Sequence, residues 1–309
     1  MRIWRGHPTV WPAVPGPVAV TIGVLDGVHI GHRSLIRRLD PSLVRTVLTF
    51  EPHPVEVLIP GTHPRLLTTL SERVELLAGV GVEQVGVLDL ADIRELDPTR
   101  FVQEVLVERM GVGQVVAGTD FRFGRNRAGD TTLLTEMGRR YGFVVDLAPL
   151  VAGGDEVISS SRIRALVEEG RPAEAAAALG SLFRMTGEVI RGDRRGREIG
   201  FPTANMEPPA RKALPATGVY AGHATVQGER FTAAINVGVR PTFGGGRLLV
   251  ESHILDFDRD IYGEEVVVEL AQYLRPELRF DRVEDLVDRM TRDVEQTRSS
   301  IVGSVGNVG

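Results

Sequence analysis

Cysteine is absent from the chain and lysine occurs once, at Lys212. The first absence excludes disulfides, thiolate catalysis and cysteine-ligated zinc or iron–sulfur centres. The second leaves no Gly-Lys-Ser/Thr phosphate loop and argues against a Schiff-base mechanism. Positive charge is not in surplus either: the net charge is −5, and no basic tail or stripe is evident to neutralise a nucleic-acid backbone. No apolar run approaches the roughly 20 residues that span a bilayer. The segment from Met1 to His7 lacks the apolar core of a leader. Small-molecule partners and a cytoplasmic location are therefore expected, with no membrane and no nucleic acid; self-association is left open.

What the chain has is length and apolar material. At 309 residues with 42% hydrophobic content, two domains are expected. In the first part, Val- and Leu-rich runs at 18–24, 44–50, 84–90, 114–117 and 143–147 alternate with helical patterns at 33–39, 71–78, 98–110 and 131–141. Such alternation predicts βαβ units and a parallel sheet. Two further helices are expected at 160–169 and 172–179. From about Leu182 the pattern changes to five strand-like runs separated by Gly, Pro and Asp turns, which predicts an antiparallel barrel or sandwich. A helical stripe follows, with Val283, Leu286, Val287, Met290 and Val294 on one face.

The densest signal is the segment Thr21-Ile-Gly-Val-Leu-Asp-Gly-Val-His-Ile-Gly-His32. His29 and His32 stand where a strand feeds a helix N-terminus, near free backbone N–H groups. Two imidazoles there can donate hydrogen bonds to phosphate oxygens as charge builds in a transition state. The competing readings are a turn with incidental histidines and a metal site. No carboxylate or third histidine at ligand spacing favours the metal.

Three more segments bear on the same sheet edge. Ile158-Ser-Ser-Ser-Arg-Ile-Arg164 offers serine hydroxyls at a helix cap, with Arg164 one turn further in; a plain cap with a solvated arginine is the alternative. Phe50-Glu-Pro-His-Pro54 reads as a proline-stiffened wall. In Gly118-Thr-Asp-Phe-Arg-Phe-Gly124, Asp120 and Phe121 can meet a planar ring while Arg125 and Arg127 meet phosphate, or else Phe121 and Phe123 are buried anchors.

The second half has its own dense segment, Gly187 to Asn205. Its glycines, with Arg191, Arg194, Arg195 and Arg197, can surround a polyphosphate. Thr203 and Asn205, two apart in an extended segment, present hard oxygens to one side, as magnesium requires; ordinary hairpin-loop chemistry competes. Glu251 and His253 share a strand face, and Glu251 is either a general base or an arginine's partner.

Taken in order, IGVLDGVHIGH, FEPHP, GTDFRFG, ISSSRIR, GREIGFPTAN, INVGVRPTF, VESHILDF and DRDIYG resemble the motif series of the prokaryotic bifunctional riboflavin kinase/FMN adenylyltransferases over nearly the whole chain. The resemblance implies an α/β plus β organisation. A Rossmann-like HxGH nucleotidyltransferase domain would occupy 1–180, and a six-stranded antiparallel riboflavin-kinase barrel with a C-terminal helix would occupy 181–309. Two reactions are implied: riboflavin with ATP gives FMN and ADP, then FMN with ATP gives FAD and pyrophosphate, with Mg2+ required. By position, His29, His32 and Arg164 would be catalytic in adenylyl transfer. Gly23, Asp26, Gly31, Ser160 and Ser161 would hold its ATP, and Asp120, Phe121 and Pro54 would lie near the flavin. In the kinase half, Gly192, Gly196, Arg197 and Pro202 would hold ATP, Thr203 and Asn205 the metal, and Glu251 would take the proton of the riboflavin 5′-hydroxyl. Leu25 stands where the family usually has phenylalanine, and a packing substitution is expected.

Overall fold

The computed structural model describes residues 1–12, 16–154, 156–192, 195–240 and 247–304. The chain forms two compact units: Met1–Pro64 with Leu70–Ser160, and Arg65–Thr69 with the residues from Ser161 onward.

The first unit is built on a parallel sheet of β1 (Arg2–Arg5), β2 (Val18–Ile22), β3 (Val44–Phe50), β4 (Gln84–Leu88), β5 (Val112–Gly118) and β6 (Val144–Ala148), in the order β1-β4-β3-β2-β5-β6. Side chains alternate across the sheet. Val18 and Val20 enter a core with Phe101, Val105 and Leu134, while Ala19 enters another with Val47, Val85 and Leu77. Because both faces are covered, the strands read as continuous apolar runs rather than as alternation. The covering helices include α1 (Ile30–Arg37), α2 (Leu70–Gly79) and α3 (Thr131–Tyr141). Between β4 and β5, the Asp97 side chain accepts the Thr99 N–H to cap Pro98–Arg100, and the coil then widens into a π-helix over Phe101–Arg109. β1 was not expected; only Trp4 in it is buried, so an edge strand of this kind carries almost no apolar signal. Strand order reverses between β2 and β5, and the crevice at their carboxyl ends is where such sheets bind ligands.

The second unit holds α4 (Ser160–Glu168, from its second residue), α5 (Pro172–Leu179), β7 (Phe183–Ile190), β8 (Ala204–Met206), β9 (Gly218–Val226), β10 (Glu229–Arg240), β11 (Arg247–Ile254), β12 (Glu265–Arg275) and α6 (Val283–Ser304). The strands close an antiparallel barrel in the order β8-β11-β10-β9-β12-β7. Six strands stand where the apolar runs alone give five, because β8 is only three residues long and lies inside the Gly- and Arg-rich segment. α5 buries Ala175 and Leu179 and packs on β7 and β12. Compactness thus groups 161–179 with the barrel, whereas the sequence pattern changes near 180. A strap from the first half joins the same unit: the Leu66 N–H donates to the Arg211 carbonyl, and the Ala213 N–H to the Leu66 carbonyl, both at 2.7 Å. Leu66, Leu67 and Thr68 are buried there.

Candidate functional site

After β2 the chain turns through Leu25 (φ 53°), Gly27 (φ 84°) and Val28 (φ 43°). Left-handed backbone suits glycine but costs about 1–3 kcal/mol at a leucine or a β-branched valine. Burial offsets the strain, since Leu25 and Val28 are both enclosed in the core with Leu77 and Val85. Leu25 therefore is a core residue, as a packing substitution requires.

The turn delivers His29 as the N-cap of α1, its Nδ1 accepting the His32 backbone N–H at 3.4 Å. The helix starts at Ile30 rather than at 33 because the imidazole supplies this cap. A ring nitrogen that accepts carries no proton, so neutral His29 bears its proton on Nε2, as a donor. The His29 and His32 rings stack with centroids 3.5 Å apart and planes at 20°. Burial lowers the His29 pKa to about 4 against the opposing pull of the Asp26 carboxylate. Burial also holds His32 well below its ordinary value, and His29 and Arg73 push it the same way. Both rings are uncharged at neutral pH, so they stack without repulsion and offer N–H donors.

The residues around the pair explain the motif. A Cβ on Gly31 would sit 3.1 Å from Cε1 and Nδ1 of His29, so glycine keeps the capping ring in place. The Gly23 N–H donates to the Leu48 carbonyl at 3.0 Å, and the Ser160 hydroxyl donates to the Asp26 carbonyl at 2.8 Å. Asp26, 2% exposed, is the carboxylate near His29 that spacing did not reveal. Among the described residues, no group of three His, Asp or Glu side chains could hold a metal ion.

The other sequence candidates divide. Pro54 opens a short helix, Pro54–Leu58, in which His53 and Glu56 form a reciprocal cap, so the segment expected as a loop is a helix start. Phe123 is a buried anchor, stacked on Phe121 at 5.5 Å, and Phe121 packs half-buried against the first core. Asp120 remains exposed. Ser161 and Arg164 belong to the second unit, where Arg164 donates to the Ser161 hydroxyl at 3.0 Å and to the Arg65 carbonyl at 2.9 Å.

In the barrel, register does the gathering. Asn205 on β8 lies opposite Glu251 on β11, and Glu251 opposite Asn236 on β10. Asn236 pairs with Val219 on β9, which pairs with Arg275 on β12. Cross-strand partners share a face. All five line one cavity of about 570 Å³ between the barrel and α6, and His253 lines it too, two residues from Glu251. Ser252, between them, and Ile254, after them, line a second cavity of about 280 Å³, together with Arg197, Pro202 and Tyr262. Thr203 lines both cavities.

Asn205 is 5% exposed, and its Nδ2 donates to the Thr203 carbonyl at 3.2 Å. That bond fixes the amide orientation and leaves Oδ1 buried without a hydrogen-bond partner. A buried orphan oxygen beside a hydroxyl matches the hard donor set of magnesium. A Cβ on Gly192 would lie 2.7 Å from Asn205 Nδ2, and one on Gly196 would strike the Phe201 carbonyl, so both glycines answer to close backbone approach. Arg191 lies over the Tyr262 ring at 5.1 Å. Arg194 lies outside the described residues.

Family models match both halves: FAD synthetase over residues 12–162 and riboflavin kinase over 179–301. The bifunctional riboflavin kinase/FMN adenylyltransferase of Escherichia coli strain K12 is 36% identical over 300 residues, covering 95% of this chain and 96% of its own. This chain belongs to the bifunctional riboflavin kinase/FMN adenylyltransferase family. The member from Listeria monocytogenes is 37% identical over 290 residues, 91% of each chain. A crystal structure described as a macrolide-efflux protein from Streptococcus pneumoniae also matches, with TM-score 0.88 and 31% identity, covering 96% of this chain and 99% of that one. Among the described residues here, no helix is long and apolar enough to cross a membrane.

Within this family framework, three polar residues of the kinase cavity escaped sequence reasoning. Asn236 lies in the INVGVRPTF segment, which carried the resemblance without a role. Arg275 and Asp293 form a buried pair, Nη2 to Oδ2 at 2.6 Å, and Arg289 adds a contact to Asp293 at 3.1 Å. The available signal was an aspartate one turn from Met290 on the apolar stripe of α6.

Proposed function

We propose that the chain performs both reactions of its family, one in each unit. Riboflavin is phosphorylated by ATP in the barrel, and FMN is adenylylated by ATP at the histidine turn. The observation that carries this reading is the presence of two chemically different sites. One is a neutral histidine pair capping a helix at the carboxyl edge of a parallel sheet. The other is a row of Asn205, Glu251 and Asn236 beside a cavity.

In adenylyl transfer, a phosphate oxygen of FMN attacks the α-phosphorus of ATP and pyrophosphate leaves. His29 and His32 donate N–H bonds to phosphate oxygens as charge gathers there. Being neutral, they act as donors and move no proton. Gly23, Asp26, Gly31 and Ser160 shape this cradle. Asp120, Phe121 and Pro54 are assigned to the flavin end.

In the kinase reaction, Glu251 accepts the proton of the riboflavin 5′-hydroxyl, whose oxygen attacks the γ-phosphorus of ATP while ADP leaves. The larger cavity suits the flavin. The smaller one, with Arg197 and Pro202, suits ATP, and Thr203 lines both; Gly192, against Asn205, and Gly196, in the wall of the larger cavity, are assigned to the same ATP. Thr203 and Asn205 would hold Mg2+, which when bound neutralises phosphate charge. ATP chemistry of this kind fits the cytoplasm, and a net negative chain fits small-molecule rather than nucleic-acid partners.

The test is incubation with riboflavin and ATP, with magnesium or with a chelator, followed by chromatography. FMN appearing first, then FAD, and neither under chelation, is the expected result. FMN without FAD would overturn the assignment of the histidine turn, and product formation under chelation would overturn the Thr203–Asn205 assignment.

A further inference from the structure

Arg73, on α2, belongs to none of the motifs, yet it is only 1% exposed. A buried guanidinium is costly unless it is paired and hydrogen-bonded. Its Nη1 donates to Thr49 Oγ1 at 3.0 Å and to the Phe50 carbonyl at 3.3 Å. Thr49 Oγ1 in turn donates to the Val24 carbonyl at 2.8 Å. Burial lowers its pKa from the ordinary guanidinium value, and the carboxylates of Asp26 and Glu51 oppose that and favour its charge. One cation thus joins the carboxyl end of β3, at Thr49, Phe50 and Glu51, to the turn after β2, at Val24 and Asp26. That turn carries His29 and His32. An apolar side chain could be buried at this position without the cost of desolvating a charge, so burial alone does not account for an arginine here.

Resting on the reading of the histidine turn as the adenylyl-transfer site, we propose that Arg73 is the positioning residue of that site, locking the turn to the end of β3 and setting a fixed positive charge behind the histidine pair. The lock has mechanical and electrostatic parts. Through Thr49 it holds the Val24 carbonyl, and so the strained segment that aims both imidazoles. Its charge reinforces the burial that keeps His32 uncharged and able to donate, while Asp26 pulls His29 the other way. The charged and titratable groups that set the balance are His29, His32, Asp26, Glu51 and Arg73 itself.

The experiment compares R73M, R73K, T49V and H32A with the parent chain in two assays, adenylylation of supplied FMN and phosphorylation of riboflavin. Imidazole NMR titration follows the histidines. A misplacement of the reacting groups costs on the order of 100-fold. R73M should therefore lose roughly that factor in kcat for adenylylation, with KM for FMN and ATP nearly unchanged and riboflavin phosphorylation intact. The His32 signal should titrate at higher pH in R73M than in the parent. R73K keeps the charge and should retain the parent His32 titration and recover most of the rate. T49V leaves the charge but cuts the relay, and should lose about fivefold, the worth of one hydrogen bond. Parent-like kcat in both R73M and T49V would overturn the proposal. So would an R73K protein that is folded, active in phosphorylation and as slow in adenylylation as R73M. H32A separates the two levels: if it adenylylates normally, the reading of the histidine turn fails whatever Arg73 does.

Discussion

The histidine turn and the barrel site are assembled by opposite means. At the turn, seven consecutive residues, Asp26 to His32, carry the reacting groups. Their chemistry is set by burial, which strips the charge from both imidazoles. In the barrel, Asn205, Glu251, Asn236 and Arg275 come from four strands and meet only because the register aligns them. The difference teaches where each site is vulnerable. A local site fails when a protonation state or a turn changes; a register site fails when the barrel or its helical wall shifts.

The sharpest break is Glu251→Gln. Glutamine keeps the shape but cannot take the hydroxyl proton, so initial rates of riboflavin phosphorylation should fall by ~10²–10⁴-fold while adenylylation of supplied FMN continues. Asp293→Ala attacks the wall of the same cavity. Removing one partner of a buried pair typically costs ~3–5 kcal/mol, and a urea titration followed by riboflavin phosphorylation should show that loss while the FMN adenylylation transition stays put. His32→Ala removes a donor to the developing charge, and adenylylation should slow by the ~10²–10³-fold typical of such donors, with FMN formation preserved.

Acid gives the next comparison. Above pH 6.5 His29 is neutral in both folded and unfolded chain and contributes no pH dependence. As pH falls from 6.5 towards about 4, the unfolded chain binds a proton that the folded state refuses. Stability of the first unit should therefore drop over that window by roughly 3 kcal/mol for His29, then level off. His32, also lowered, acts in the same direction. Asparagine is a good helix N-cap without a titrating ring, so His29→Asn should flatten this slope in denaturant midpoints measured across pH; an unchanged slope would assign it elsewhere. The smallest effect concerns the boundary. A fragment from Ser161 loses the 65–69 strap but retains α5, whose Ala175 and Leu179 pack on the barrel, and should make FMN; one from Ser181 loses both and should make FMN with a lower thermal midpoint.

The same contrast explains what was legible beforehand. The sheet's central strands and the HxGH turn are local, so apolar runs, a glycine and two histidines revealed them. The cap role of His29 was readable only as a position, since nothing in the spacing says that its ring accepts the His32 N–H. β1 and β8 were invisible as runs because one has a single buried residue and the other is three residues long. Arg73, Asn236 and the Arg275–Asp293 pair were hidden for a further reason: their partners are distant in sequence, and only the folded register and helix packing bring them together.

Independence of the two sites is tested most directly by mixing variants. His32→Ala alone should convert riboflavin and ATP to FMN and stop. Glu251→Gln alone should make almost nothing from riboflavin. Combined in one solution, they should produce FAD from riboflavin, as FMN leaves the intact kinase site of one chain and enters the intact adenylyl-transfer site of another. A mixture that forms no more FAD than the two separate reactions added together would contradict two self-sufficient sites.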